Sequence, residues 1–150
     1  GGTAFADGVV VDAGTKQGVN ERMVAMTGNG LVGRVISVSE DTAHVILLND
    51  SNARVPIVIE NSRHRGVLAG DNTDLAQILH LPEEASVTVG ERVLTSGLGG
   101  IFVAGLPVGV IAKMDTSGIR VKPFADLQRL EIIQLIDFGQ HDPSAQVPHE

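Results

Sequence analysis

The sequence predicts an all-β protein made of two small β-barrel-like units, with glycine-rich turns and little or no helix. Three observations lead to this prediction. Among the 150 residues are 18 glycines, and the apolar residues fall into short runs bounded by Gly, Asn and Asp. The chain contains no Trp or Tyr, so its core must be built mostly from Val, Ile and Leu. β-Branched residues favour strands, and no long run shows the apolar period of a helix.

The first part of the chain contains five predicted strands. A Gly28-Asn29-Gly30 turn lies between two of them, because Gly and Asn reach positive φ at low cost. Pro56 lacks an amide hydrogen, so its strand is expected at a sheet edge or at a bulge. The five predicted strands are Gly8–Asp12, Met23–Met26, Leu31–Ser39, Ala43–Leu48 and Arg54–Glu60.

The second part contains six predicted strands and one glycine-rich loop. Leu75–Leu81 is compatible with helix or strand, and strand is favoured because Pro82 opposes a helix that ends there. The loop spans Ser96–Gly105, and the polar tail at 139–150 carries two prolines and is expected to be disordered. The six predicted strands are Arg65–Leu68, Leu75–Leu81, Glu91–Thr95, Pro107–Met114, Ile119–Pro123 and Leu130–Ile136.

The predicted division is a first β-unit at 1–65 and a second at 66–138, with exchange of strands between them allowed. An internal sequence similarity supports two similar units. Residues 20–24 resemble residues 90–94, and residues 30–36 resemble residues 105–111. Two explanations remain open: a duplication with a longer loop in the second copy, or chance recurrence of a glycine turn followed by a valine-rich strand.

Composition excludes several classes of function. The net charge of −7 argues against nucleic acid as a partner and against a basic patch for anionic lipid. The absence of Cys removes disulfides, Cys-ligated zinc and thiol chemistry. No cofactor and no metal site are predicted, because no histidine forms a ligand pair with metal spacing; the histidines are His44, His64, His80, His141 and His149.

A serine hydrolase is one alternative from a different class. His44, Asp71 and Ser96 occur in the order of the two-barrel serine proteases, but a triad is recognised by geometry rather than by order. The residues around Ser96 match neither the G-x-S-x-G elbow nor the Gly-Asp-Ser-Gly stretch of those proteases. The glycine-rich run that follows lacks the P-loop lysine. The chain is therefore predicted not to be an enzyme.

A PDZ-like peptide-binding module is a second alternative. Residues 96–102 loosely resemble the loop in which PDZ domains bind a peptide carboxylate through backbone amides. A PDZ domain also needs a helix beside that loop, and no convincing helix is visible in the sequence. This alternative predicts binding that depends on a free carboxylate at the end of a peptide.

The same loop carries the candidate partner-binding residues, which are Ile101, Phe102, Val103 and Leu106. Apolar residues in a loop either pack into the local core or contact a partner. Seven glycines are interpreted as structural, through positive φ or through close approach of another backbone segment. These are Gly30, Gly33, Gly97, Gly99, Gly100, Gly105 and Gly109. A larger residue at Gly33 or Gly109 is expected to unfold a unit.

Five stretches, in order along the chain, resemble the rod shape-determining protein MreC family. Together they extend over roughly residues 8–136. One departure is at Phe102, which is followed here by Val103-Ala104, whereas the family usually has Phe-Pro before the next glycine. The five stretches are GLVGRV at 30–35, DSNARVPI at 50–57, RGVLAG at 65–70, VGERVLTSG at 89–97 and GLPVG at 105–109.

The resemblance implies a non-catalytic scaffold of the bacterial cell-wall elongation complex, which maintains rod shape by positioning or activating the peptidoglycan transpeptidase. The expected partners are the elongation-specific penicillin-binding protein, MreD and other MreC copies in a dimer or filament. The expected location is the periplasmic face of the inner membrane. A membrane anchor and coiled coil would precede residue 1, and no catalytic residue is carried over from the family.

Overall fold

The computed structural model describes residues 8–139 and consists almost entirely of β-strands. One short 3-10 helix, Thr15–Gln17, lies in the described part. The predicted all-β class is confirmed, and the ambiguous Leu75–Leu81 segment forms a strand. Apart from Gly139, the predicted tail lies outside the described residues. The strands are β1 Val9–Val11, β2 Val24–Met26, β3 Leu31–Val38, β4 Ala43–Leu47, β5 Arg54–Ile59, β6 Arg65–Ala69, β7 Ala76–Leu79, β8 Arg92–Thr95, β9 Pro107–Asp115, β10 Gly118–Pro123 and β11 Gln134–Ile136.

The strands form two antiparallel sheets. One is an open sheet of five strands in the order β1-β4-β3-β2-β11. The other is a closed barrel in the order β10-β7-β6-β5-β8-β9. The prediction of two barrel-like β-units is confirmed, with one unit closed and the other open along one side.

The predicted limits of the units, 1–65 and 66–138, remain a proposal. In the structure β5 lies in the barrel although it precedes residue 66, and β11 lies in the open sheet although it follows that residue. Hydrogen-bonded pairing therefore links β11 to β2, which precedes the barrel strands in the sequence. This arrangement is the kind of strand exchange that the sequence analysis allowed.

The two sheets repeat the same hairpin with the same register. Gly33 in β3 lies opposite Leu47 in β4, and Gly109 in β9 lies opposite Pro123 in β10. In each hairpin the register shifts at a bulge three residues after the glycine, at Ile36 and at the equivalent position in β9. A bulge is a specific local feature, so its recurrence at matched positions favours duplication over chance.

The repeat extends to the order of the strands. The open sheet, read as β11-β2-β3-β4-β1, matches the barrel read as β5-β8-β9-β10-β7. Ala25 lies opposite Gly33, and Val93 lies opposite Gly109, so these two residues are equivalent. The sequence similarity that aligned residues 20–24 with residues 90–94 is therefore two positions out of register with the structural equivalence. Within residues 8–139 the open sheet has no counterpart of β6.

The expectation of an edge position for Pro56 was wrong, because β5 pairs with both β6 and β8. The carbonyl oxygen of Pro56 accepts a hydrogen bond from the amide of Ser96 at 3.0 Å. In an antiparallel strand the N–H and C=O of one residue point to the same side, so the missing amide hydrogen faces the end of β8. The proline thus removes one bond at the point where the β5–β8 pairing stops.

The two sheets share their hydrophobic packing. The first core fills the barrel around Ile57, Leu68 and Ile111, but it also includes Val24 and Leu31 from the open sheet. A second core lies against the open sheet and is formed by Val19, Ala25, Val32, Val35, Ala43, Val45, Leu47 and Ala125. Each fully buried Val, Leu or Ile side chain in these cores stabilises the fold by about 1.5–3 kcal/mol. The two sheets are therefore packed against one another.

Candidate partner-binding surfaces

The loop between β8 and β9 is held in place by Thr95, which is 1% exposed. The Thr95 hydroxyl donates a hydrogen bond to the carbonyl of Val103 at 2.6 Å and accepts one from the amide of Leu106 at 2.8 Å. Its backbone carbonyl also accepts from the amide of Gly105 at 2.8 Å. These bonds fix both ends of the loop, so it presents a defined surface.

The four candidate partner-binding residues of this loop lie in different environments. Phe102 and Leu106 are buried in the first core, and Val103 packs against the same core. Ile101 is 50% exposed, as is its neighbour Leu98. Phe102 and Leu106 are therefore not available to a partner in this conformation. The partner-binding role of the loop remains a prediction, and on this surface it now depends on Ile101 and Leu98.

The seven candidate structural glycines fall into two groups. The four on the β8–β9 loop have positive φ; they are Gly97, Gly99, Gly100 and Gly105. The other three lie against backbone carbonyls. A Cβ atom on Gly33 would overlap the carbonyl oxygen of Ile46, and one on Gly109 would overlap that of Lys122. A Cβ on Gly30 would lie 2.9 Å from the carbonyl oxygen of Pro107.

The residues considered for a serine hydrolase occupy separate places. His44 lies on β4 of the open sheet, whereas Ser96 follows β8 of the barrel. The Ser96 hydroxyl oxygen accepts the amide hydrogen of Leu98 at 3.2 Å, as in an ordinary turn. Asp71 is bonded to Thr73 and to Arg120 rather than oriented toward a histidine. This geometry gives the hydrolase alternative no support.

The PDZ-like alternative also gains no support. The glycine-rich loop is present, but a PDZ peptide lies between a strand and a flanking helix. In the described part of the chain, the helical structure is limited to the single turn Thr15–Gln17, which lies between β1 and β2. That turn is too short to form one wall of a peptide groove.

A second candidate surface, which the sequence analysis missed, is a groove of about 580 Å³ between β1 and the segment that leads into β11. We call it the seam groove. Ile132 and Val10 are its most exposed large apolar residues, at 80% and 66%. Its lining residues are Val9, Val10, Val11, Asp12, Ala13, Gln17, Val19, Leu130, Glu131, Ile132, Ile133 and Leu135. The strand pattern placed most of these residues in the predicted strands Gly8–Asp12 and Leu130–Ile136, but it did not show that the edges of the two strands face each other.

Asp71, between β6 and β7, accepts hydrogen bonds from Thr73 and Arg120. A hydrogen bond from the Thr73 hydroxyl, and then the guanidinium of Arg120 at 2.7 Å, hold the pKa of Asp71 below its usual value. At the end of β11, the amide of Gly139 and then the side chain of Arg22 lower the pKa of Asp137. Both carboxylates stay ionised at neutral pH, so they connect neighbouring surface segments by accepting hydrogen bonds and do not serve as proton donors.

Residues 8–139 contain neither a metal-binding cluster nor a membrane-spanning helix. No group of three or more histidine, aspartate or glutamate side chains is placed to hold a metal ion. No helix in that range is long and apolar enough to span a membrane.

Comparison with known proteins identifies the family. Residues 2–137 match the family described as rod shape-determining protein MreC, barrel core. The chain belongs to the MreC family. The cell shape-determining protein MreC of Cereibacter sphaeroides is 36% identical over 142 residues, which cover 95% of this chain and 47% of that protein. MreC of Escherichia coli K12 is 37% identical over 139 residues, which cover 88% of this chain and 38% of that protein. The chain thus spans about half the length of these relatives or less.

Solved structures of MreC share the fold. The crystal structure of MreC from Pseudomonas aeruginosa superposes with a TM-score of 0.80 at 27% identity, covering 88% of this chain and 90% of that one. The major periplasmic domain of the cell shape-determining filament MreC gives 0.73 at 30% identity, covering 84% of each. MreC in a complex with a penicillin-binding protein from Helicobacter pylori gives 0.55 at 20% identity, covering 69% and 66%, which demonstrates a common fold.

Proposed function

We propose that this chain is the extracytoplasmic part of a non-catalytic scaffold that maintains rod cell shape by binding a penicillin-binding protein of the elongation complex. The observation that carries the proposal is membership of the MreC family over residues 2–137. A family member has a solved structure in a complex with a penicillin-binding protein. The anchored β8–β9 loop and the seam groove offer exposed apolar surface for such a contact.

The proposed mechanism is a shift in the conformational population of the transpeptidase. A scaffold activates an enzyme only if it binds the active conformation more tightly than the inactive one. The rigid attachment of the β8–β9 loop through Thr95 suits this role, because a preordered surface loses little entropy on binding. No residue of this chain is assigned a chemical step.

Self-association, MreD as a further partner and a periplasmic location are parts of the same proposal. A relative is described as a cell shape-determining filament with a periplasmic domain. That description supports self-association and a periplasmic location. The proposal that MreD is a partner rests on the family resemblance alone. The relatives are longer than this chain. A membrane anchor in such additional sequence is part of the same proposal.

The test is calorimetric binding of this chain to the periplasmic region of an elongation-specific penicillin-binding protein. Ile101→Asp is the variant, because Ile101 is half exposed, whereas Asp at the buried Phe102 would unfold the barrel. Val89→Asp is the matched control, since Val89 is 56% exposed and lies between β7 and β8. We expect saturable binding that Ile101→Asp weakens by about tenfold or more, as for a central apolar contact.

Each outcome has a distinct meaning. Binding that is weakened by Ile101→Asp and kept in Val89→Asp supports the function and the site on the loop. Binding that both variants keep supports the function but moves the site away from this loop. Absence of binding by the unaltered chain contradicts the proposed function.

A further inference from the structure

The closed barrel has six strands, whereas the open sheet has five and lacks a counterpart of β6 among residues 8–139. Five antiparallel strands leave two edge strands, β1 and β11, that run in the same direction. Antiparallel closure needs an even number of strands, so these two edges cannot pair with each other in the pattern of the rest of the sheet. In the barrel the equivalent edges, β7 and β5, are joined by β6, which is antiparallel to both.

The seam groove lies where the counterpart of β6 would run. In the barrel, Val67 of β6 lies opposite Pro56 and Leu79. If the shared registers are continued two residues before the paired part of β11 and one residue beyond that of β1, Ile132 is equivalent to Pro56 and Asp12 to Leu79, and both line the groove. The following residue, Leu68, lies opposite Val55 and Ile78. The corresponding residues, Glu131 and Val11, line the groove too.

The walls of the groove have the properties of a strand-accepting site. Among residues 8–139, β1 pairs with β4 alone and β11 with β2 alone, so each presents one edge of backbone donors and acceptors. Val11 and Ile133, at the sides of the groove, are partly buried against the second core. A strand laid between them would complete that core and bond to both edges.

The charge of the groove defines the strand that it would accept. Asp12 and Glu131 are both exposed, and within residues 8–139 neither forms an ion pair. The lining contains no Lys, Arg or His. A lysine or arginine placed between Ile132 and Asp12 would cover the exposed isoleucine with its aliphatic stem and meet the carboxylate with its charge.

We propose that the seam groove binds an extended segment of another protein as the sixth strand of the open sheet. The segment runs antiparallel to β1 and β11, has an apolar residue facing the second core, and carries a basic residue opposite Asp12 at the position before it. This site is separate from the β8–β9 loop. The proposal therefore stands or falls independently of binding at Ile101.

The probe is a heptapeptide with the sequence of residues 64–70 of this chain, which contain β6, except that lysine replaces Val67: His-Arg-Gly-Lys-Leu-Ala-Gly. Binding to the whole chain is followed by titration of backbone amide NMR signals and by hydrogen exchange. We expect saturable shifts at residues 9–12 and 130–136, with slower exchange of the edge amides of β1 and β11. A peptide with proline in place of leucine should not bind, because a strand paired on both sides needs that amide.

A charge exchange tests the assigned register. Replacing the peptide lysine with glutamate should weaken binding by about tenfold, which is the scale of one charge-assisted contact. In the Asp12→Lys variant the preference should reverse, so that the glutamate peptide binds more tightly than the lysine peptide. Asp41→Lys, an exposed acid on the turn between β3 and β4, is the matched control and should leave the preference unchanged.

Three results would overturn the proposal. The first is an absence of saturable shifts, or equal binding of the proline peptide. The second is protection of the β1 and β11 edge amides in the free chain equal to that of β5 and β7, which would show that the chain covers its own groove. The third is a concentration-dependent dimer that Asp12→Lys dissociates, which would make a second copy the occupant.

Discussion

At the residue scale, the clearest feature is the pair Gly33 and Gly109. Both residues occupy the same position in the repeated hairpin, and each leaves no space for a Cβ atom beside a carbonyl of the neighbouring strand. The sequence analysis interpreted these glycines as structural, but it did not distinguish a positive φ from a close approach. Only the pairing of strands decides that question, because neither glycine has a positive φ.

Replacement of Gly33 by alanine should destabilise the chain by about 2–4 kcal/mol, because the added methyl group forces β3 and β4 apart in a closely packed region. The measurement is urea unfolding at neutral pH. Gly28→Ala is the control, since a Cβ there meets nothing within 4 Å and the residue has no positive φ. Equal unfolding free energies for the two variants would contradict the assigned role of Gly33.

The loop residue Phe102 shows where sequence reasoning stopped. An apolar triplet inside a glycine-rich loop has the same pattern whether it packs inward or faces a partner. The deciding contacts are those of the Thr95 hydroxyl with Val103 and Leu106, which turn the loop back onto the barrel. These contacts join residues eight and eleven positions apart through side-chain geometry, which no composition rule encodes.

At the element scale, Arg120 of β10 is tied to the loop between β6 and β7. Its guanidinium lies 2.7 Å from the Asp71 carboxylate, and 19% of the Arg120 side chain is exposed. The Thr73 hydroxyl donates to the same carboxylate. Because these contacts stabilise the ionised form, Asp71 binds its proton less readily in the folded chain than in the unfolded chain, and its pKa is lowered.

A lowered pKa contributes stability above the unfolded value and loses that contribution as the pH falls through the folded value. The advantage of the unaltered chain over Asp71→Asn should therefore be present at neutral pH and shrink as the pH falls below about 4. Urea unfolding at several pH values measures it. Thr73→Val should reduce the same acid-dependent part, because Thr73 makes the largest contribution. A constant difference from neutral to acid pH would refute this account.

The positions of the strands were predictable because they depend on local pattern. All eleven strands formed where alternating or β-branched runs were bounded by turn residues. The pairing partners of the strands could not be predicted from local pattern in the same way. The edge assignment for Pro56 failed because a missing amide hydrogen indicates a gap in pairing, and the gap here lies at the end of β8 rather than along a sheet edge.

At the scale of the whole molecule, the two sheets stabilise each other. Leu31 lies on β3 of the open sheet, yet it is fully buried in the barrel core. Leu127, which precedes β11, packs against both cores. Shared buried residues couple the two units, so a single unfolding transition is expected even though the hydrogen-bonded sheets are separate.

Leu31→Ala should lower the unfolding free energy by about 2–5 kcal/mol, through lost burial and the cavity left behind. Because the residue connects the two units, amide exchange should accelerate in β4 and in β6 alike, as native-state hydrogen exchange can measure. Met114→Ala is the control, as Met114 is 42% exposed, and it should have little effect. Faster exchange confined to β6 would mean that the units unfold independently.

The pairing of β11 with β2 has a consequence for how the chain folds in time. Leu135 lies opposite Ala25, so this contact joins the last strand to the second one. The barrel strands β5 to β10 are consecutive and can close first, whereas β2 pairs with β11, which is synthesised after all of them. Closing so long a loop slows folding more than it weakens the folded state. β11 can therefore join after the barrel strands have paired, and a chain that stops before β11 would expose β2 as an unpaired edge of the open sheet beside a completed barrel.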